Sequence, residues 1–313
     1  MDILNKDIIF EILKFLPTQY YYNFCLICKN FNNNFSKLDL WKYKIHLEFL
    51  DFYLLTNIEY FECYKLSYQL SKLKTKLFFN ENIGQLYYTN NLKVTKYQIK
   101  KIPNEINKLY KYLNKLDFSY NNIKEIPIIL GNLTNLNYLN LSINQIKNIP
   151  KELGNLINLR KLDLSNNQLK EIPDELWNLS KLEKLWMDTN GFLEIPKKIK
   201  NLINLKDFSF VGNKIKEIPI ELCGLIMLKR LCLCFNQITN IPSEFGNLRN
   251  LKNLYLNDNK IIIIPSELEN LVNLENLYLN GNKIKQIPTI FTKFEKLKIL
   301  ILANNQLTTI PKN

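Results

Sequence analysis

The side chains that most often do chemistry in proteins are scarce in this chain, and their spacing argues against catalysis. The only histidine is His46, so neither a histidine-based catalytic triad nor a histidine-rich metal site can be built. Cys25 and Cys28 form a C-x-x-C pair, but no second pair follows at a zinc-ligand spacing. Glycine is rare, and no glycine-rich phosphate-binding loop is present. Three further thiols lack a fourth metal ligand: Cys223, Cys232 and Cys234. We therefore predict a non-catalytic binding protein without metal or cofactor.

Composition favours an intracellular protein with a sizeable core. Apolar residues make up 46% of the 313 residues, enough for one large or two ordinary domains. No apolar run approaches the ~18 residues that a membrane helix requires. The opening "MDILNKDIIFEIL" contains three acidic residues and is not a signal peptide. The repeats described below do not depend on cysteine, which favours a reducing compartment. We expect a cytoplasmic or nuclear location, or the host cytoplasm if the protein is viral.

The formal net charge of +13 has two possible meanings. It could indicate an anionic partner. Lysine is, however, spread over every repeat and often adjoins glutamate, as in "KEIP" at 124–127, 170–173 and 216–219. A diffuse composition bias, with lysine as the default exposed residue, explains that pattern better. We expect no specific nucleic-acid partner and no membrane partner.

A 23-residue repeat fills most of the chain and ends each time in an Ile-Pro step, from Pro127 to Pro311, and one further step at Pro103 precedes these by 24 residues. The template L-x-x-L-x-L-x-x-N-x-L recurs in register with it and identifies a leucine-rich repeat. One such turn cannot bury its own apolar side, so neighbouring turns must stack and share their leucines. We expect about ten repeats at 86–313, forming a curved α/β solenoid with a parallel concave sheet.

An asparagine occupies the turn after each predicted strand. Its amide can bond backbone groups that would otherwise be buried without partners, which would cost about 1–3 kcal/mol each. Only the first turn departs, with Tyr97 at that position. We predict a structural ladder formed by Asn121, Asn144, Asn167, Asn190, Asn213, Asn236, Asn259, Asn282 and Asn305.

Residues 1–85 lack the repeat and show helical spacing. Asn5 can cap a helix that Pro17 ends, a second helix follows, and "LW" at 40–41 closes the segment. The order of residue types over 1–46 resembles the F-box, the helical module that attaches substrate receptors to cullin–RING ubiquitin ligases. The family's opening proline is replaced by Asn5, and its second-helix tryptophan by Phe31. The resemblance implies an adaptor-binding surface formed by Leu4, Asn5, Ile8, Ile9, Ile12, Leu13, Leu16, Ile27 and Cys28.

The segment 47–85 is similar to the linker helix that often follows an F-box. Thr56 and Glu59 form a T-x-x-E capping box, and apolar and aromatic residues continue with helical spacing to about Lys74. The predicted fold class is therefore a small helical F-box and linker helix, followed by the solenoid.

The exposed columns of the sheet divide into a polar first half and an aromatic second half that begins at Trp186. Grouped exposed aromatic side chains mark binding sites, although tyrosine and isoleucine are also simply good strand residues. The predicted target contacts are Trp186, Val211, Cys232, Cys234, Phe235, Tyr255, Tyr278 and Ile301. An outer rim would suit an acidic or phosphorylated segment and comprises Arg160, Lys206, Lys229, Arg230, Lys252 and Lys298.

The resemblance implies a substrate receptor of a cullin–RING ubiquitin ligase, with a Skp-type adaptor and cullin complex at one end and a protein target on the repeats. Two alternatives stay open. The helices could only cap the repeats of a plain interaction scaffold, or the protein could be a decoy for a host ligase.

Overall fold

The computed structural model describes residues 69–77 and 83–308. The chain divides into two compact units, Met1–Thr89 and Asn90–Asn313. In the first unit, helices cover residues 69–76 and Ile83–Tyr88. Leu70, Leu73 and Leu77 are fully buried, and their i, i+3, i+7 spacing places them on one helical face. The predicted adaptor-binding residues and the capping box lie outside the described residues.

The second unit is a solenoid whose ten parallel strands form one sheet in chain order. Each strand pairs with the next so that the central apolar residues lie opposite each other, as Leu139 does with Leu162. The strands are β1 Asn91–Lys93, β2 Lys115–Asp117, β3 Tyr138–Asn140, β4 Lys161–Asp163, β5 Lys184–Trp186, β6 Asp207–Ser209, β7 Arg230–Cys232, β8 Asn253–Tyr255, β9 Asn276–Tyr278 and β10 Ile299–Ile301. This architecture confirms the predicted solenoid with its parallel sheet, whereas the predicted F-box helices lie outside the described residues.

On the other side of the core, each repeat returns through a short 3-10 turn that starts after its proline. Pro150 has φ −68° and ψ 142°, and the Leu153 amide donates to the Pro150 carbonyl at 3.0 Å. Five residues are too few for a stable α-helix, so the tighter i+3 bond closes the segment. The turns are Asn104–Leu109, Ile128–Asn132, Lys151–Asn155, Asp174–Asn178, Lys197–Asn201, Ile220–Gly224, Ser243–Asn247, Ser266–Asn270 and Thr289–Lys293.

The core is a continuous column of apolar side chains, mostly aliphatic, between the sheet and the 3-10 turns. The central residue of every strand from β1 to β9 is completely buried. In β10, which has a neighbouring strand on one side only, Leu300 is 37% exposed. Burial of one such side chain stabilises the fold by roughly 1.5–3 kcal/mol before entropy is subtracted. Each repeat therefore depends on its neighbours for its hydrophobic stabilisation.

An asparagine in each turn after a strand bonds the backbone of two successive repeats. Asn167 Nδ2 donates to the carbonyls of Leu164, in its own repeat, and Leu141, in the preceding one, each at 3.0 Å. Its Oδ1 accepts the amide of Ile146 at 3.0 Å. The same three bonds are made by Asn121, Asn144, Asn190, Asn213, Asn236, Asn259, Asn282 and Asn305.

A second asparagine series runs along the opposite side of the core. Asn158 Nδ2 donates to the carbonyl of Thr134 in the preceding repeat at 3.0 Å, and four other asparagines make the equivalent bond. Where lysine takes the position, Lys181 Nζ donates to Asn158 Oδ1 at 2.7 Å and Lys296 Nζ to Asn273 Oδ1 at 2.6 Å. Both sides of the solenoid are thus joined by side chains across the repeat boundary.

The residue before each ladder asparagine adopts a left-handed backbone conformation. Gly212 and Gly281 occupy it with φ +65° and +67° and meet no steric penalty there. Ile143 and Thr189 hold φ 53° and 50° at the equivalent position, although β-branched side chains disfavour it. The ladder bonds on either side hold these residues in place.

Replacing a ladder asparagine should cost much more stability than replacing an exposed one. Asn236→Ala removes bonds to Phe210, Leu233 and Ile215 and leaves buried backbone groups unsatisfied. We expect a loss of at least about 2 kcal/mol in urea unfolding, since each orphaned group costs roughly 1–3 kcal/mol. Asn240→Ala, at an exposed site in the same repeat, is the control. Equal losses for the two variants would contradict the ladder's structural role.

Candidate binding face

The open face of the sheet carries the first and third residues of each strand, because the central residue is buried. From β1 to β4 these positions hold mostly lysine, aspartate and asparagine. From β5 onward the third position becomes aromatic or apolar in most strands. The predicted change from polar to aromatic residues therefore falls on one continuous surface.

The predicted target contacts differ in how far they are available to a ligand. Trp186, Val211, Cys234, Tyr255 and Tyr278 are half-buried. Phe235 is 57% exposed, and Ile301 is 36% exposed. Within the first group, Trp186, Tyr255 and Tyr278 belong to the residue types that most often dominate binding energy.

Cys232 corrects one of these expectations, because it is only 2% exposed. Cysteine is short, and in the sheet register its neighbour on β8 is the large side chain of Tyr255. Burial raises the pKa of the Cys232 thiol to about 12 and that of Cys234 to about 11. Both thiols are therefore protonated at neutral pH and lack the thiolate that binds metals.

A chain of contacts joins the aromatic residues across five strands. Trp186 Nε1 donates to Asp207 Oδ1 at 3.2 Å, and Arg230 Nη1 donates to the same oxygen at 3.1 Å. The Arg230 guanidinium lies 5.4 Å from the ring centroid of Tyr255. Tyr255 and Tyr278 stack with centroids 4.8 Å apart. We call Trp186, Asp207, Arg230, Tyr255 and Tyr278 the aromatic patch.

The aromatic patch is built by the repeat register. Asp207 and Arg230 are separated by 23 residues and pair directly in the sheet. Asp207 was not among the predicted site residues, because the sequence alone does not show that the side chains of Trp186 and Arg230 both donate to its carboxylate. Listing residues at 23-residue intervals would have placed it between Lys184 and Arg230, in the column that starts the strands. Once Asp207 and the Tyr255 ring hold Arg230, less freedom remains to be lost on binding.

In the polar half, carboxylates and amides are used internally. Asp163 Oδ1 accepts the Ser165 amide at 3.0 Å, and Asn140 Oδ1 accepts the Ser142 amide at 2.9 Å. Burial, the largest cause, raises the pKa of Asp163 and also that of Asp188. These groups organise the loops after the strands and offer few free acceptors to a ligand.

The predicted cationic rim is largely occupied by ion pairs. Glu183 forms ion pairs with Arg160 at 2.6 Å and with Lys206 at 2.9 Å. The hydrogen bond from Lys206 is the largest cause of the lowered pKa of Glu183, and the bond from Arg160 is the next largest. Glu275 is bridged in the same way by Lys298 at 2.7 Å and Lys252 at 3.1 Å. These pairs are exposed and contribute little to stability. Lys229 is exposed and makes no ion pair within the described part of the chain.

Other site classes find no support among residues 69–77 and 83–308. No group of three histidine, cysteine or acidic side chains is arranged to hold a metal there. In the same residues, no helix has both the length and the apolarity to cross a membrane.

Comparison with known families assigns both parts of the chain. The F-box domain family matches residues 1–43. The leucine-rich repeat region family matches residues 128–241, and other leucine-rich repeat families match 112–133, 226–284 and 272–313. The chain belongs to the F-box/leucine-rich-repeat proteins. That architecture is typical of non-catalytic adaptor and binding proteins.

Solved structures resemble the repeats of this F-box/leucine-rich-repeat protein. A leucine-rich-repeat protein of Leptospira interrogans is 32% identical, over 72% of this chain and 70% of its own, with a TM-score of 0.55. A Listeria monocytogenes internalin is 26% identical, over 77% and 76%, with a TM-score of 0.60. A plant peptide hormone receptor, solved in complex with RGF2, is 36% identical over 70% of this chain but 36% of its own, with a TM-score of 0.64. No curated protein sequence matches.

The half-buried carboxylate of Asp163 lowers the stability of the repeats in a pH-dependent way. Because its folded pKa is raised, the charged form lowers stability above that pKa, and the cost disappears as pH falls through it. Asp163→Asn retains an acceptor for Ser165, as Asn140 shows for Ser142. We expect this variant to have a higher thermal midpoint than wild type at pH 7, with the gap closing toward acidic pH.

Asp174→Asn, at an exposed carboxylate, controls for the general change in charge. A lower thermal midpoint for Asp163→Asn than for wild type at pH 7 would show that the Asp163 charge is favourably paired in the folded protein.

Proposed function

We propose that this protein is the substrate-recognition subunit of an SCF-type cullin–RING ubiquitin ligase. Its F-box docks on a Skp-type adaptor, and the open face of its repeats holds the target protein. The observation that carries the proposal is the presence, in one chain, of an F-box match at residues 1–43 and a ten-strand solenoid with an aromatic patch. Attachment and recognition are then assigned to different segments.

The adaptor contact is assigned to the apolar residues that match the F-box pattern, among them Ile9 and Leu13. Two departures from that pattern, Asn5 and Phe31, leave this role feasible. Asparagine can cap a helix with its side chain where proline would preset the backbone. Phenylalanine retains a large aromatic surface in place of tryptophan.

The target contact is assigned to the open face because of its length and its composition. Ten strands about 4.8 Å apart extend over roughly 43 Å, which is long enough for an extended segment or a domain surface. Tryptophan, tyrosine and arginine are the residue types that most often dominate protein interfaces. Three of the five residues in the aromatic patch are aromatic, and one is arginine.

The receptor would contribute to ubiquitin transfer by positioning rather than by chemistry. Holding the target near a separate ubiquitin-carrying enzyme converts a bimolecular encounter into one with a high effective concentration. The single histidine of the sequence and the protonated thiols of Cys232 and Cys234 are compatible with a receptor that acts by positioning.

Charging the predicted adaptor surface should abolish ligase assembly. We expect the full chain to co-purify a Skp-type adaptor and a cullin, and Ile9→Glu/Leu13→Glu to reduce their recovery at least tenfold. The control Ile128→Glu changes an exposed residue, 65% accessible, on the 3-10 side of the repeats. Absence of adaptor binding at micromolar concentrations would exclude the proposal.

Deleting residues 1–46 separates the proposal from the plain scaffold. Insoluble repeats in a protein whose full-length form never recruits adaptor would favour a helical cap. A decoy would recruit adaptor without promoting ubiquitination of any bound protein.

The aromatic patch should be required for target modification and not for assembly. With the proteasome inhibited, proteins ubiquitinated in a receptor-dependent way should lose modification in Trp186→Ala/Tyr255→Ala, while adaptor recovery stays unchanged. The double substitution removes the two aromatic side chains that contact Asp207 and Arg230, namely Trp186 and Tyr255. Val272→Ala, 54% exposed, is a matched control. Unchanged modification would place the target elsewhere.

A further inference from the structure

One rim of the sheet carries a symmetric row of charges centred on Lys229. The row occupies the position just before the strands, so its members are 23 residues apart and lie on successive repeats. In chain order it reads plus, minus, plus, plus, plus, minus, plus. We call it the rim row: Arg160, Glu183, Lys206, Lys229, Lys252, Glu275 and Lys298.

The ion pairs of the rim row leave its centre uncompensated. Glu183 takes up two cations on one side and Glu275 two on the other. Lys229, between Lys206 and Lys252, is exposed and has no acidic partner among residues 69–77 and 83–308. Three ammonium groups on strands about 4.8 Å apart repel one another, and an anion at the centre would relieve that repulsion.

Arg230 adds an oriented donor next to this free charge. One of its guanidinium nitrogens is bonded to Asp207, and its face lies over Tyr255. Its other N–H groups make no bond in the described structure, and its side chain is 41% exposed. A guanidinium fixed in this way is suited to bond a carboxylate in its own plane.

The stacked pair Tyr255 and Tyr278 lies beside the two cations. Tyr255 is one strand over from Lys229 and three residues farther along, an offset of roughly 10 Å along the strand and about 4.8 Å across it. An extended peptide covers about 10 Å in three residues. One short segment could therefore reach the cations and the tyrosine pair together.

We propose that the target segment bound at this site is an acidic peptide. A side-chain carboxylate of that peptide pairs with Lys229 and Arg230, and an aromatic side chain three or four residues away packs on Tyr255 and Tyr278. The inference rests on the proposed function for the identity of the partner as a ligase target. We choose a carboxylate over a phosphate because Lys229 is the one rim-row cation without an ion pair in the described residues and Arg230 already shares Asp207, so a single negative charge can contact both.

Selection from a random peptide library tests this chemistry directly. The full chain is immobilised and used to enrich displayed 12-residue peptides. The enriched peptides are then synthesised, and their affinity for the chain is measured by fluorescence polarisation. We expect enriched peptides with a negative charge and an aromatic residue three or four positions apart. Lys229→Ala should weaken their binding about five- to tenfold at low salt and reduce its salt dependence. Lys214→Ala, at an exposed lysine outside the rim row, should change neither.

A double-mutant cycle then identifies the contact. Replacing the peptide's acidic residue by its amide should weaken binding to wild type and cause little further loss in Lys229→Ala. Enrichment of uncharged peptides, enrichment of none, or equal effects of Lys229→Ala and Lys214→Ala would overturn the proposal. Binding more than tenfold tighter to a phosphoserine peptide than to its aspartate counterpart would overturn the choice of a carboxylate.

This assay contains no adaptor, so its outcome is separable from the ligase proposal. A chain that selects acidic peptides but recruits no adaptor would exclude the ligase role and support this recognition chemistry.

Discussion

The fold depends on satisfying the backbone groups that each repeat leaves unpaired when it leaves the strand. The ladder asparagine solves this with one side chain, which donates to its own repeat and to the preceding one and accepts an amide of the preceding one. These hydrogen bonds can form only if the neighbouring repeat is stacked in the correct register. Hydrophobic stacking supplies most of the driving force, whereas the ladder fixes the register, since a shifted repeat would orphan several buried groups.

Because the register between repeats is fixed, the residues on the open face of the sheet can differ from one repeat to the next. Because the central strand residue and the ladder asparagine define the repeat, the flanking residues can change without altering the backbone, and each change is placed beside a known neighbour. Trp186, Asp207 and Arg230 lie on three consecutive strands for this reason. A recognition surface can therefore be assembled from single residues on successive repeats, with each cation, carboxylate or ring placed to within the spacing of the strands.

Much of this arrangement could be predicted from the sequence, because periodicity fixes which residues share a column. The solenoid, the ten strands and the placement of Asn167 all follow from repeated letters. The burial of Cys232 could not be predicted, since it depends on the size of neighbours such as Tyr255 in three dimensions. Nor could the convergence of two donors on Asp207, which depends on rotamers. The second series, including Asn158, was visible in the repeated "NLxNL" and was missed because leucine dominated the pattern.

For the binding of an anion, the position of the charged residues matters more than the net charge of the chain. Residues 1–89 contain ten lysines and nine acidic residues, so +12 of the formal +13 belongs to residues 90–313. A uniform positive surface would attract any anion, with an affinity that salt removes. On the rim row, however, Glu183 and Glu275 each pair with two cations, so the lysine between the two groups is the one rim-row cation without an ion pair in the described residues. This lysine, Lys229, lies beside an arginine already oriented by Asp207 and Tyr255. Specificity for an anion then arises where a lysine without an ion pair lies next to an arginine of fixed orientation. A diffuse lysine bias and a selective anion contact can therefore coexist on the same surface.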